Sequence, residues 1–125
     1  MANFLFKPTM TINQPFPNFF EISVSYIMTY TQQELSFEFA DSLFLLESDA
    51  GEVFGGADDF LVNISPEVFR PRSTRETRTI TFSATSEQLG TESGGEELYA
   101  QVHHVRKTPG AVVQTRATDI FPLAV

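Results

Sequence analysis

His103 and His104 are the only imidazoles in the chain, and they are neighbours. Successive residues of a strand point to opposite faces, so the pair cannot ligate one metal without distorting the backbone. The chain has no cysteine, which removes disulfides, thiolate metal sites and a cysteine nucleophile. It also lacks G-x-S-x-G, H-E-x-x-H, a phosphate-binding loop and a dinucleotide fingerprint. With both histidines on one segment, a Ser/His/Asp relay is hard to assemble. The expectation is a protein that is not an enzyme and uses no cofactor.

Five carboxylates fall between Glu47 and Asp59, in the run ESDAGEVFGGADD. Hard oxygen ligands suit Ca²⁺, and Asp49, Glu52, Asp58 and Asp59 are the residues that would supply them. The fixed acidic spacing of an EF-hand is missing, and a solvated hairpin explains the same residues. No metal site is therefore assigned.

Charge is segregated along the chain. Between Lys7 and Arg70 there are ten acids and no base; then half of the eight basic residues arrive together as Arg70, Arg72, Arg75 and Arg78. In an extended segment Arg70, Arg72 and Arg78 share parity and Arg75 opposes them, which disfavours a single four-arginine anion clamp. One reading is a solvated acidic surface with a compensating arginine turn. The other is a two-sided module that docks, through Arg72 and Arg75, on a complementary partner or on copies of itself. A net charge of −8 repels phosphate backbones, so nucleic acid is not an expected partner.

These groups need a scaffold, and 125 residues suffice for one domain, 1–125, with one core. Hydrophobic residues make up 42% and no apolar run approaches the length of a membrane span, so no membrane insertion is expected. MANFLFKPTM has no basic start, apolar centre and small-residue cleavage site, the marks of a secretory signal. Localisation stays open: the cytoplasm, a particle, or the periplasm for a mature form.

Thirteen Phe and thirteen Thr favour pleated, half-buried surfaces over helices. Phe4, Phe6, Met10 and Ile12 alternate around a ladder-breaking Pro8, as in an edge strand. From Phe20 the alternation is clear, with Phe20, Ile22, Val24, Tyr26, Met28 and Tyr30 on one face and Glu21, Ser23, Ser25 and Thr29 on the other. Thr31 and Glu34 have capping-box spacing, and Leu35, Phe39, Leu43 and Leu46 match a helical stripe. Two strand pieces hinged near Asp41, followed by a hairpin at ESDAGE, fit better. FLVNI ends at Ser65-Pro66; RTITFSA points Ile80 and Phe82 inward; EELYAQVHHV, the turn KTPG and AVVQTRA complete the chain. The fold class is all-β, an antiparallel sandwich of about seven or eight strands, with Val24, Tyr26, Phe37, Phe39, Ile80, Phe82 and Val102 in the core.

The run ADDFLVNISPEVFRP followed by TRTITF, then the loop SEQLGTESGGEE and the strand LYAQVHHV, resembles the N-terminal immunoglobulin-like domain of PapD-like periplasmic pilus chaperones. Tyr99 sits where such sandwiches place a corner tyrosine. AVVQTRATDIFPL is similar to the family's last strand, which is offered to a partner by strand addition. The family's paired cations would fall on Met10 and Arg116, so only the second is basic here, and its second domain has no counterpart in these residues. The resemblance implies an immunoglobulin-like, PapD-like interaction module whose partner-binding residues are Val113, Thr115, Arg116 and Ala117. The alternative is a structural subunit of a self-assembling particle or filament that exchanges terminal strands between copies. In both, the edges expected to bind are the Pro-marked first strand and the last.

Overall fold

Alternation makes Phe19–Thr29 (β3) the centre of one sheet: Phe20, Ile22, Val24, Tyr26 and Met28 are buried while Glu21 faces solvent. In the computed structural model, which describes residues 1–48, 59–89 and 96–123, Arg75–Thr85 (β6) pairs antiparallel with β3 over its whole length. Along the other edge of β3 lie two short segments in succession, Asn3–Phe4 (β1) and Thr9–Phe16 (β2). The break between them holds Pro8, which has no N–H for the ladder.

The second sheet has Glu38–Glu47 (β4) paired with Glu96–Thr108 (β7) at its centre. Asp59–Phe69 (β5) flanks β4. Val112–Ala117 (β8) and Phe121–Leu123 (β9) follow each other along the free side of β7. Among the described residues, counting each interrupted strand once gives seven, in the orders first-second-fifth and fourth-third-sixth-seventh. This is an immunoglobulin-like sandwich whose fourth strand has joined the second sheet; in constant-type domains it stays beside the fifth.

The core joins β3 to Phe39, Leu43 and Leu45 of β4 and Leu98, Ala100 and Val102 of β7. Val24, Tyr26, Phe39 and Val102 are buried as the pattern requires, but Phe37, Ile80 and Phe82 are only partly covered. Ile80 and Phe82 have the inward parity, but among the described residues β6 is an edge, with no strand beyond it to close over them.

Three local expectations need correction. Leu35 is not in a strand: Gln33–Ser36 is a 3₁₀ turn that carries the chain from one sheet to the other. The capping-box spacing is real on that turn, since the Thr31 N–H donates to Glu34 Oε1 at 2.8 Å and the Glu34 N–H to Thr31 Oγ1 at 3.4 Å. There is no hinge at Asp41, because β4 is one strand. Finally, β5 does not stop at Pro66: two residues, Ser65 and Pro66, oppose the single Ser42, and this bulge lets an edge strand carry a proline and run on to Phe69.

Candidate functional site

Four polar residues occupy apolar faces, and they converge between the sheets. Tyr26 and Arg78 are directly paired across β3 and β6; Asp41 and His104 are directly paired across β4 and β7. The Asp41 carboxylate sits at the junction. Its Oδ1 accepts from His104 Nδ1 at 2.5 Å, and its Oδ2 accepts from Arg78 Nε at 2.9 Å and from the Tyr26 hydroxyl. Charge-assisted bonds of this kind are the stronger class, and a buried carboxylate without them would be severely penalised.

Aromatic rings enclose the group. His104 stacks on Phe39 with centroids 4.8 Å apart, and the Arg78 guanidinium lies 3.4 Å from the Phe69 ring centroid. Burial, and then the charge of Asp41 and its hydrogen bond, pushes the Tyr26 phenol well above its ordinary range. Burial opposes the charge on Arg78, but Asp41 and Tyr26 outweigh it and hold the guanidinium more firmly protonated than in water. His104 is 1% exposed, and no hydroxyl or thiol is bonded to its ring among the described residues. The arrangement can tie the two sheets together; it presents no activated nucleophile.

A second buried carboxylate stands at the chain's start. Glu34 accepts from the Ala2 N–H at 2.8 Å and lies 3.3 Å from the Met1 ammonium, besides its bond from Thr31. Burial alone would raise its pKa; the hydrogen bonds from Thr31 and Ala2 prevail and lower it.

The flanks of the sandwich differ. On one flank β1 and β2 lie over β8 and β9, joined by Lys7 to Asp119 at 2.6 Å and Gln114 to Asn3 at 3.5 Å. On the other, β6 lies over β5, with a cleft of about 50 Å³ between them bordered by Ile64, Glu67, Arg78 and Ile80. An exposed row of backbone donors and acceptors invites pairing with another chain unless prolines, bulges or breaks blunt it. The β1/β2 edge has a break, Pro8, Pro15 and a register shift. The β8/β9 edge is broken between the two strands and carries Pro122, and β5 has Pro66 and two register shifts. Only β6, among the described residues, runs eleven residues with no proline, shift or break.

The candidate residues fall on both flanks. Val113, Thr115 and Arg116 are exposed on β8, Val113 at 59%, and Ala117 is half-buried at its end. Arg72 and Arg75 are exposed where the chain enters β6, on the opposite flank. Arg75 points outward and Arg78 inward, so the arginines are divided as parity requires. Asp49, Glu52 and Asp58 lie outside the described residues, as do most of the ESDAGE hairpin and much of the loop after β6; Asp59 opens β5. Among the described residues no group of three His, Cys, Asp or Glu side chains could hold a metal, and no helix is long and apolar enough to cross a membrane. Alternation in β7 puts Tyr99 on the outer face, with His103. No local spacing in the sequence marks the Asp41 cluster, whose members stand on faces that are mainly apolar.

No family model, curated protein or solved structure matches this chain.

Proposed function

We propose that the protein is a non-enzymatic interaction module that takes up an extended segment by adding it as a strand to the free edge of β6. One observation carries this reading: β6 is the unblunted edge among the described residues, eleven residues long and in unbroken register with β3. Its half-buried Ile80 and Phe82 offer apolar contact on the inner side, and the cleft beside β5 gives an added side chain room to enter. Arg78, bound to Asp41, anchors the middle of the strand, so little ordering entropy is lost on binding. The PapD-like mode would instead use β8 and its exposed Val113, a shorter edge of six residues.

The test is titration with synthetic peptides that alternate Thr with Val or Ile, followed by amide hydrogen exchange at a protein concentration where the chain is monomeric. Binding should protect residues 75–85, and Thr81→Lys, which charges the edge, should abolish that protection. Protection confined to residues 112–117, or none, would sink the β6 reading.

A further inference from the structure

We infer that copies of this chain associate end to end, the basic end of one sandwich docking on the acidic end of the next. The contact lies at the tips of the strands and does not depend on the β6 edge.

The strand registers sort charge along the long axis. Thr29 is paired with Arg75, Glu38 with Thr108 and Phe39 with Phe69, and the 3₁₀ turn and residues 70–74 cross between the sheets beside them, so these residues share one end of the sandwich. Five of the eight Lys and Arg residues stand there, as Arg70, Arg72, Arg75, Arg106 and Lys107. The carboxylates of that end are withdrawn from its surface. Glu34 is buried, and Glu38 and Glu76 are half-buried, within 3.7 Å of Arg70 and 4.0 Å of Arg78. Arg72, Arg75 and Lys107 are exposed and, among the described residues, in no ion pair. The opposite end, where Phe19 is paired with Thr85 and Glu47 with Asp59 and Leu98, carries Glu47, Asp59, Glu87, Glu96 and Glu97. Among the described residues it holds no Lys or Arg, and Glu87 and Glu97 are exposed.

The turns that present the cations are ordered in the free chain. Pro71 is buried, the Thr74 carbonyl accepts from the Tyr30 N–H at 2.8 Å, and the Arg72 N–H donates to Glu76 at 3.4 Å. Arg106 Nε donates to the Gly110 carbonyl at 3.1 Å. Little backbone entropy is lost when such turns dock.

A net charge of −8 opposes side-by-side association. End to end, the two acidic ends stand a sandwich length apart. The eleven residues of β3 span about 36 Å, against a screening length of about 8 Å at physiological ionic strength. Repulsion between the acidic ends is therefore screened, while the opposite charges in contact attract. Such a contact joins two different surfaces, so each pair keeps one end of each sign free and growth does not stop at two.

Sedimentation velocity of the intact chain at about 0.15 M salt tests the inference. The wild type should grow past the dimer as its concentration rises and disperse at about 1 M salt, where screening is nearly complete. Arg72→Glu with Lys107→Glu, and separately Glu87→Lys with Glu97→Lys, should each weaken association about tenfold or more. All four side chains are exposed, so both variants should keep the wild-type circular dichroism spectrum. An equimolar mixture of the two should form a 1:1 complex and nothing larger, because only one intact basic end then meets one intact acidic end. Thr81→Lys leaves both ends intact and should assemble like the wild type. A wild type that stays monomeric or stops at a dimer, variants that do not pair when mixed, or assembly abolished by Thr81→Lys overturns the inference. So does a monomer whose basic end binds heparin instead, which would assign that end to a polyanion.

Discussion

Arg78 and Asp41 belong to opposite sheets, yet the guanidinium Nε of the first lies 2.9 Å from a carboxylate oxygen of the second. An edge strand is thereby fastened at its middle to the centre of the facing sheet. Edge strands are ordinarily the loosest part of a sandwich, with half the backbone partners of a central strand. Here the outermost strand of one sheet shares an anchor with Tyr26 and His104 deep in the core. A strand held this way is preorganised.

Removing the carboxylate should be costly. Asp41→Ala leaves the half-buried guanidinium with only the Glu76 carboxylate, 4.0 Å away, and deprives Tyr26 and His104 of their shared acceptor, so it should lower unfolding free energy by about 3 kcal/mol in urea titrations. Adding Arg78→Met to that variant should recover part of the loss, because the weakly paired cation is part of the penalty. If the double variant were as unstable as the sum of two separate losses, the two residues would not be coupled.

Burial separates two phenylalanines that look alike in the sequence. Phe39 is 1% exposed, whereas Phe82 is only partly covered. Phe39→Ala should cost about 3–5 kcal/mol, and Phe82→Ala about half as much. Equal losses by chemical denaturation would mean that something covers β6 in the monomer.

Glu34 should make the fold sensitive to acid. Its pKa is lower folded than unfolded, so the unfolded chain binds the proton first as pH falls. The stabilisation is complete above the unfolded carboxylate range and is lost as pH drops through the folded value. Glu34→Gln should flatten the decline in melting temperature on the acid side and leave neutral-pH behaviour of the edge unchanged. A variant with the wild-type acid profile would assign that dependence to another carboxylate.

Much of the scaffold was legible because alternation reports one thing directly, which face a residue is on. It gave the inward set of β3, the division of the arginines at Arg75 and Arg78, and the opposite senses of His103 and His104. It does not report which faces meet. The Asp41 cluster draws one residue from each of four strands, and no local spacing connects Tyr26 with His104. The available signal was chemical: a Tyr, an Asp, an Arg and a His each stood on an apolar face, where a polar group must find partners. Asp41 read as a hinge because a charge inside an apolar strand looks like an interruption. Pro66 read as an end because a bulge needs a partner strand to be recognised. The protection of each edge depends on strand order, which spacing alone leaves open.

The four-residue junction also checks how the sandwich is assembled. Side chains alternate between faces, so slipping β6 by one position along β3 would turn Arg78 outward, and slipping β7 along β4 would do the same to His104. Either error would strand the Asp41 carboxylate in an apolar interior, a far heavier penalty than a misplaced valine. A chain whose hydroxyl-rich and apolar rows would tolerate several near-equivalent alignments thus carries, in one acid, a reason to reject all but one.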